Sequence, residues 1–239
     1  VLFCLSDLHG TCYESGNRLI IECAWDQKPD LILASGDMLS GDREEGDAIA
    51  VALLSRLSDL APVCFVNGNH EMCVERHQPE RYQKFMDDLK NGGVQVLHNE
   101  TAWFWIDGEK VAVTGYELPW EYYRRFNRRH PSVVGMERSI GKRKQDAYQI
   151  LLTHNPVFFE EYAAWGADFT FAGHLHGGFI RLPYFGGVIS PQFQLFPKYD
   201  HGLYQMDTSS MVVGAGMGNH SGLFRINNPT EIVTVRIKR

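Results

Sequence analysis

Five short segments of the chain carry side chains that could bind metal ions. Together they supply seven oxygen or nitrogen donors: Asp7, His9, Asp37, Asn69, His154, His174 and His176. Carboxylate, amide and imidazole donors suit a divalent metal such as Mn, Fe, Zn or Co. Seven donors are too many for one zinc-like ion, which takes about four ligands. The set therefore predicts two divalent ions about 3.5–4 Å apart that share a bridging carboxylate.

The spacing within the segments indicates how the donors could face one another. Asp7 and His9 are two residues apart, as are His174 and His176, and an extended backbone directs such pairs to the same side. Asp37 is the natural bridge, because one carboxylate offers an oxygen to each ion. Glycines adjoin three of the donors and, lacking a Cβ, allow sharp turns and close approach: Gly36, Gly68 and Gly173.

His70 is a candidate for acid catalysis rather than for metal binding. It follows Asn69 directly, so its side chain is expected to point away from the ligands and toward a substrate. An imidazole beside a phosphate can donate a proton to the leaving oxygen. Three nearby polar residues could hydrogen-bond the N–H groups of the ligand imidazoles, or could be ordinary turn and capping residues: Glu71, Asn99 and Asn155.

In the first half of the chain, each donor segment follows a short apolar run with the pattern of a β-strand. Strands are predicted at residues 1–5, 31–34, 63–66 and 94–97, and helices at residues 13–27, 43–60 and 79–89. This alternation favours parallel pairing with right-handed crossovers. In such sheets, ligands collect beyond the carboxyl ends of the strands. The donors are therefore expected to converge at that edge.

The second half of the chain has short predicted strands with few helices between them. A hairpin is predicted around Asp107-Gly108, joining strands at 103–106 and 110–114. Further strands are predicted at residues 150–153, 169–172, 187–190, 211–214 and 232–237. The whole pattern predicts an α/β fold in which two sheets pack together with helices outside. With no repeat and no Ser/Gly linker, we expect one domain of residues 1–239.

The composition argues against several other classes of protein. Of the 239 residues, 44% are hydrophobic and 22% are charged, which is ordinary for a globular protein with a substantial core. No run of 18 apolar residues occurs, so the sequence predicts no transmembrane helix. The formal net charge of −6 argues against a nucleic-acid partner for the protein as a whole.

Two features bear on the cellular compartment. The five cysteines are odd in number and form no CxxC pair, which favours a reduced compartment over a disulfide framework. The chain starts at Val1 within a predicted strand, so we expect that a preceding segment was removed. The sequence leaves the localisation open between cytoplasmic and, if that segment was an N-terminal anchor, membrane-associated.

A basic and aromatic segment spans about residues 120–144. Between residues 124 and 144, eight Arg and Lys residues are opposed only by Glu137, so this stretch carries a charge of +7. Three interpretations stay open: a solvated surface, a rim that attracts an anionic substrate, and a patch that binds an anionic membrane surface. No known base-reading motif occurs in it. A hydrophobic stretch at residues 179–196 could wall the site or belong to the core.

The order of the five segments resembles the pattern of the calcineurin-like metallophosphoesterases. That pattern is Asp-x-His, Gly-Asp, Gly-Asn-His-(Asp/Glu), a lone His and Gly-His-x-His, and every element occurs here between residues 7 and 176. The resemblance implies a four-layer α-β-β-α sandwich of two mixed sheets, with His70 as the candidate acid. It also implies two ligand sets: Asp7, His9, Asp37 and His176 for one metal, and Asp37, Asn69, His154 and His174 for the other.

Residues 177–183 and 216–232 are similar to a bacterial branch of phosphodiesterases that often carries an N-terminal membrane anchor. The function favoured by this resemblance is hydrolysis of a phosphoester, first of all a phosphodiester, by a hydroxide held between two metals. The expected substrate is a small-molecule or lipid-linked phosphoester, with four candidate contacts: Asn69, His70, His98 and Arg225. The alternatives are a phosphomonoesterase, a metal-dependent nuclease and a non-catalytic scaffold of the same fold.

Overall fold

The computed structural model describes residues 1–41, 43–124, 129–178, 180–182, 186–189, 195–218 and 225–238. Across these ranges the chain forms thirteen β-strands and six α-helices. The strands are β1 (Leu2–Leu5), β2 (Leu31–Ala34), β3 (Val63–Phe65), β4 (Gln95–Val96), β5 (Thr101–Ile106), β6 (Glu109–Tyr116), β7 (Tyr148–Thr153), β8 (Phe169–Ala172), β9 (Arg181–Leu182), β10 (Gly186–Gly187), β11 (Gly202–Met206), β12 (Ser209–Val213) and β13 (Val233–Val235). The helices are α1 (Arg18–Gln27), α2 (Glu45–Ser58), α3 (Asn69–His77), α4 (Pro79–Asn91), α5 (Val133–Ile140) and α6 (Phe159–Trp165).

The first large sheet comes from the predicted alternation of strands and helices. Its order is β13-β1-β2-β3-β4, and all neighbours are parallel except β13, which runs antiparallel to β1. Every residue of β1 and β2 is buried, because helices cover one face of the sheet and the second sheet covers the other. Continuous apolar runs are the sequence pattern of strands buried on both faces.

The second large sheet has the order β11-β12-β8-β7-β6-β5. Its four central strands are parallel, and β5 and β11 form antiparallel edges. Asp107 and Gly108, with φ of 50° and 80°, form the tight turn of the predicted hairpin between β5 and β6. The structure also contains a two-stranded ribbon of β9 and β10.

The two large sheets pack face to face with helices on both outer faces, which confirms the predicted α-β-β-α sandwich. Both sheets contribute to the central core, with Cys4 and Leu33 from the first and Val113, Leu152 and Phe171 from the second. Helices α1, α2 and α4 bury their apolar stripes against the outer face of the first sheet. Helices α5 and α6 cover the outer face of the second sheet.

Three helices lie where the sequence pattern did not indicate them. Helix α3 begins at Asn69, in a segment for which no helix was predicted. Helices α5 and α6 agree with the expectation of few helices in the second half, although the sequence pattern did not place either of them. They span 8 and 7 residues, so each offers only about two turns of apolar periodicity. Helix α4, by contrast, begins at the predicted proline, Pro79.

Several strand boundaries also differ from the prediction. Strand β11 was not predicted, and the predicted strand at 187–190 corresponds to β10, with residue 190 outside the described ranges. Residues 125–128 of the basic segment are outside them as well. Among the described residues, no helix combines the length and the apolar character that crossing a membrane requires. The assignment of the whole chain to one domain stays a prediction.

Candidate metal centre

The candidate ligands lie beyond the carboxyl ends of strands from both sheets. The first sheet contributes four residues that follow β1, β2 and β3: Asp7, His9, Asp37 and Asn69. The second sheet contributes three residues that follow β7 and β8: His154, His174 and His176. The segments that carry them meet at one end of the sandwich, which is the edge where a parallel topology gathers ligands.

One group of donor atoms comes from Asp7, His9 and His176. The ligand atoms of these three buried residues all lie within 4.8 Å of one another. His176 Nε2 is 3.4 Å from Asp7 Oδ1 and 3.1 Å from His9 Nε2. A carboxylate and two imidazoles that converge in this way form a ligand set suited to a transition metal.

A second group of donor atoms comes from Asp37, His154 and His174, which also lie within 4.8 Å of one another. His154 Nε2 is 3.2 Å from Asp37 Oδ2. On the other side of the ring, His154 Nδ1 donates to the carbonyl oxygen of Ser35 at 2.6 Å. A backbone partner of this kind fixes the ring orientation of a metal-binding histidine and leaves its second nitrogen for the metal.

Asp37 lies between the two groups. Its Oδ2 atom is 3.2 Å from His154 Nε2 in the second group and 4.0 Å from His9 Nε2 in the first. Its Oδ1 atom accepts the backbone amide of His70 at 2.8 Å. A third cluster within 4.8 Å consists of His9, Asp37 and His70. One carboxylate that reaches donors of both groups has the position expected of a bridging ligand.

Asn69 provides the direct test of whether the site fits metal ions. Its Oδ1 atom is buried and accepts no hydrogen bond from the described residues. A buried polar atom without a partner costs about 1–3 kcal/mol, and a divalent cation would satisfy this oxygen. The amide oxygen therefore completes a donor set that fits divalent metal ions, with carboxylate and imidazole ligands beside it.

Five of the seven candidate ligands have a left-handed backbone conformation, with φ between 48° and 71°: Asp7, His9, Asp37, His174 and His176. The expectation that Asp7 and His9, and likewise His174 and His176, lie on extended backbone is therefore wrong. Asp7 and His9 still reach the same donor group, whereas His174 and His176 belong to different groups. Unfavourable backbone conformations of this kind concentrate at functional sites.

Gly68 and Gly173 allow two carboxylates to lie against neighbouring backbone. A Cβ atom at residue 68 would stand 2.2 Å from Asp37 Oδ1, and one at residue 173 would stand 2.4 Å from Asp7 Oδ2. No side chain fits at such distances, so both positions require glycine. The sequence predicted that these glycines allow close approach. In the structure, the groups that approach them are the carboxylates of the candidate ligands Asp37 and Asp7.

Glu71 is a buried carboxylate that joins the loop after β2 to the start of α3. Its Oε2 atom accepts the backbone amides of Asp37 and Gly68, both at 2.8 Å, and Oε1 accepts those of Met38 and Leu39 at 2.8 and 3.2 Å. Burial and the negative charge of Asp37 raise the pKa of Glu71 to about 7. Of the two roles that the sequence left open, Glu71 takes that of a capping residue, since it binds backbone amides and not an imidazole.

Asn99 and Asn155 have the alternative roles that the sequence left open. Asn155 Oδ1 accepts the backbone amide of Val157 at 3.1 Å and caps a short 3-10 helix. Asn99 Oδ1 accepts the backbone amide of Glu117 at 3.0 Å. The partner that the structure gives to His154 is the Ser35 carbonyl. No sequence signal identifies it, because the contact is made by backbone that any residue could supply.

Electrostatic interactions set the protonation states of the candidate ligands. Burial alone would raise the pKa of Asp37, but the neighbouring imidazoles, His154 first, hold it well below its usual range. At His154, burial by itself lowers the pKa of the ring. The negative charge of Asp37 outweighs this effect and raises the pKa to about 9. Burial lowers the pKa of His176 well below its usual range. Near pH 7, Asp37 is therefore ionised and His176 neutral, which are the forms that bind metals. His154 is protonated in the metal-free protein and must lose that proton when a metal binds.

His98 and Arg225, the two further candidate substrate contacts, both make contacts within the protein. His98 Nδ1 is 3.1 Å from Glu117 Oε1, and the same oxygen accepts the backbone amide of Asn67 at 3.0 Å. Arg225 Nη2 donates to His176 Nδ1 at 3.1 Å. Arg225 therefore lies directly beside a candidate ligand. Contact of either residue with a substrate stays a prediction.

Tyr123, near the start of the basic segment, packs against the candidate metal centre. Its buried ring lies with its centroid 5.2 Å from that of His174 and 6.0 Å from that of His154. Farther along the segment, Arg143 donates to both carboxylate oxygens of Asp168, at 3.0 and 2.9 Å. The segment thus supplies a wall of the site and a structural ion pair. Binding of the segment to a membrane surface stays a prediction.

The site gathers carboxylate, imidazole and amide donors between two mixed sheets, at the ends of parallel strands. This arrangement is typical of a class of metal-dependent enzymes. Residues 1–178 match the family model of the calcineurin-like phosphoesterases. The chain belongs to this family, whose members are metal-dependent phosphoesterases, and the resemblance inferred from the five segments is confirmed.

Relatives with curated names span most of the chain. Phosphodiesterase YaeI of Escherichia coli (strain K12) is 26% identical over 239 residues, covering 99% of this chain and 81% of that protein. The uncharacterized metallophosphoesterase YkuE of Bacillus subtilis (strain 168) is 24% identical, over 89% of this chain and 69% of its own length. A solved structure, the NAD nucleotidase NadN of Haemophilus influenzae, has a TM-score of 0.56 at 15% identity. The match covers 90% of this chain and 45% of that protein, and at this low identity the likeness shows the fold alone.

Proposed function

We propose that the chain hydrolyses a phosphodiester at a centre of two divalent metal ions. The observation that carries this proposal is the position of Asp37, whose Oδ2 atom lies 3.2 Å from a donor of one group and 4.0 Å from a donor of the other. Asp7, His9 and His176 would hold one ion, and Asn69, His154 and His174 the other, with Asp37 between them. The name of the relative YaeI, a phosphodiesterase, supports a diester as the first substrate class.

When bound, two such ions stabilise the phosphate oxygens and lower the pKa of a water molecule that serves as the nucleophile. The protein contributes fixed ligand geometry. The buried carboxylate of Glu71 holds the amides of Asp37 and Gly68, so the loop after β2 and the start of α3 keep a constant distance. The His154 ring is oriented by the Ser35 carbonyl. Ligands that are oriented before substrate binds need little reorganisation during the reaction.

His70 is the residue to which we assign protonation of the leaving oxygen. Its Nδ1 atom accepts the backbone amide of Gly41 at 3.1 Å, so the neutral ring carries its proton on Nε2. Nε2 lies 4.0 Å from Asp37 Oδ2, and the proton therefore faces the candidate metal centre. Transfer of a proton to the leaving alkoxide or phenoxide requires the imidazolium form of His70, in which Nδ1 is protonated and no longer accepts the Gly41 amide. The ring returns to its neutral form as the P–O bond breaks.

The test is hydrolysis of matched aryl esters by metal-loaded protein. The protein is stripped of metal, loaded in turn with Mn, Fe, Zn or Co, and assayed with bis(p-nitrophenyl) phosphate and p-nitrophenyl phosphate. We expect turnover of the diester with at least one metal, at a higher kcat/KM than the monoester. A preference for the monoester would favour the phosphomonoesterase instead, and inactivity with every metal and both esters would contradict the proposal.

A further inference from the structure

The loop after β12, residues 214–218 (the β12 loop below), lies directly against Asp7, a ligand of the first donor group. The amide of Gly218 donates to the carbonyl oxygen of Asp7 at 2.6 Å. Gly216 has a φ of 75°, and a Cβ atom there would stand 2.7 Å from Asp7 Cβ and 3.1 Å from Asp7 Oδ2. The backbone of the β12 loop is therefore the wall against which Asp7 packs, and the position of this loop limits that of the carboxylate.

A segment near the C-terminus, residues 225–231 (the C-terminal segment below), holds the β12 loop through Glu231. Oε1 of Glu231 accepts the amide of Ala215 at 2.8 Å, and the amide of Glu231 donates to the carbonyl oxygen of Gly216 at 3.2 Å. Oε2 lies 2.8 Å from His201 Nε2. Burial by itself would raise the pKa of Glu231, but the hydrogen bonds with His201 and the Ala215 amide hold it below its usual range. The carboxylate is therefore ionised near pH 7 and accepts strongly.

The C-terminal segment also contacts His176, a second ligand of the first donor group. Asn228 is 4% exposed, and its Nδ2 atom donates to the carbonyl oxygens of His176 and Gly178. Arg225 connects the two sets of contacts, because Nη1 donates to the Ala215 carbonyl at 2.7 Å while Nη2 lies 3.1 Å from His176 Nδ1. The segment thus holds one ligand through the β12 loop and another directly.

The second donor group takes its support from other parts of the chain. The His154 ring is oriented by the Ser35 carbonyl, and the amide of Asp37 is held by the Glu71 carboxylate. These four residues belong to the part of the chain that matches the calcineurin-like phosphoesterase family, residues 1–178. The C-terminal segment lies outside that part. The first donor group therefore has a support that the matched region does not supply.

We propose that Glu231 and Asn228 are positioning residues that set the affinity of the first donor group for its metal ion. This inference rests on the two-metal centre of the proposed function and assigns separate supports to its two ions. Residues that orient metal ligands without touching the metal typically contribute about 10–100-fold to metal affinity. Loss of either side chain is therefore expected to weaken the ion held by Asp7, His9 and His176, and to leave the other ion in place.

The variants separate positioning from a general effect on the fold. Glu231→Ala and Asn228→Ala remove the two supports independently. Glu231→Gln keeps an oxygen that can accept the Ala215 amide, so it should retain most of the wild-type affinity. Glu161→Ala is the matched control, because Glu161 also forms a partly buried carboxylate–imidazole pair, at 2.7 Å from His130, but lies on α6. Circular dichroism and urea denaturation show whether each variant is folded.

The measurement is Mn²⁺ binding by calorimetry in two single-site backgrounds. Mn²⁺ is chosen because the five cysteines would compete for a softer metal such as zinc. His154→Ala leaves the first donor group intact, and in this background Glu231→Ala and Asn228→Ala should raise Kd by about 10–100-fold. His176→Ala leaves the second donor group intact, and there the same changes should alter Kd by less than about twofold. Glu161→Ala should change Kd in neither background.

Metal content of the same variants in the otherwise wild-type protein is the second readout. After gel filtration, mass spectrometry should find two ions in the wild type and one in Glu231→Ala and Asn228→Ala. Two retained ions with unchanged Kd values, or an equal rise of Kd in both backgrounds, would overturn the inference. The expected pattern of binding without hydrolysis of any ester would contradict the proposed function alone. A wild-type protein that binds no Mn²⁺ would overturn the two-metal centre and this inference together.

Discussion

At the scale of single residues, the candidate ligands are held in conformations that are unfavourable for them. A left-handed backbone at a non-glycine residue costs about 1–3 kcal/mol and persists only where surrounding contacts impose it. Those contacts are present: the amide of Asp7 donates to the Gly36 carbonyl, that of His9 donates to the Asp37 carbonyl, and that of His174 donates to the Asp7 carboxylate. The strain is thus maintained by hydrogen bonds between the ligand loops themselves.

Asp37→Asn tests the bridging role at this scale. The amide keeps the shape of the carboxylate but loses the charge that attracts two cations, so we expect both metal content and turnover to fall, the latter by at least about a hundredfold. Metal analysis by mass spectrometry and aryl diester assays measure the two effects. Asp26→Asn, on the exposed side of α1, is the control and should change neither. Full activity in Asp37→Asn would show that Asp37 does not bridge the ions.

The variant His70→Gln tests whether His70 acts as a general acid or as a metal ligand. If His70 protonates the leaving oxygen, the variant keeps its metal ions and loses about 10²–10⁴ in kcat for esters with basic leaving groups. Esters of acidic phenols need little protonation and should lose much less. A series of aryl diesters that spans leaving-group pKa values measures this difference. Loss of metal in the variant would instead assign His70 to the cluster it forms with His9 and Asp37.

At the scale of elements, the contact between the start of α3 and the loop after β2 explains how two candidate ligands are positioned. Gly68 is extended, with φ of −95° and ψ of −170°, and α3 begins at the next residue. Glu71, in the first turn, accepts the Gly68 amide and also the amides of three residues after β2. One side chain thereby caps a helix and holds the neighbouring loop, which positions Asn69 and Asp37 together.

Glu71→Gln is predicted to weaken this contact between α3 and the loop after β2. The glutamine amide turns one acceptor into a donor that faces backbone N–H groups, so we expect a loss of about 1–3 kcal/mol in the free energy of unfolding. Glu75→Gln, on the exposed face of the same helix, should lie within about 0.5 kcal/mol of the wild type. Urea denaturation of the three metal-free proteins measures the difference. Equal midpoints for Glu71→Gln and the wild type would show that the carboxylate does not stabilise the contact between α3 and the loop after β2.

The element scale also shows which parts of the fold the sequence could predict. Strands β1 and β2 and helix α4 were predictable, because uninterrupted apolar runs and a proline at the helix start are strong local signals. The start of α3 was not, since Asn69-His70-Glu71 has no apolar periodicity and is helical through the contacts of Glu71. The donor residues were found from their types and order. Their left-handed backbone was not, because tertiary hydrogen bonds impose it.

At the scale of the whole molecule, the candidate metal centre joins the two sheets of the sandwich. Each donor group contains residues from both: Asp7 and His9 with His176, and Asp37 with His154 and His174. In the protein itself, direct links at this end include the bond from His154 to the Ser35 carbonyl and that from the His174 amide to Asp7. Metal ions bound to both groups would add cross-links between sheets whose remaining contacts are largely apolar packing.

Removal of metal is therefore predicted to lower thermal stability. A ligand present at about 100 times its Kd stabilises the native state by about 2.7 kcal/mol, and for a chain of this size each kcal/mol shifts Tm by about 2–4 °C. We expect chelation to lower Tm by about 5–10 °C and re-addition of the metal to restore it, with calorimetry as the measurement. Asp37→Asn supplies the control, because a protein that cannot bridge the ions should lose most of the shift. If chelation removes the bound ions and leaves Tm unchanged, the ions do not tie the two sheets together.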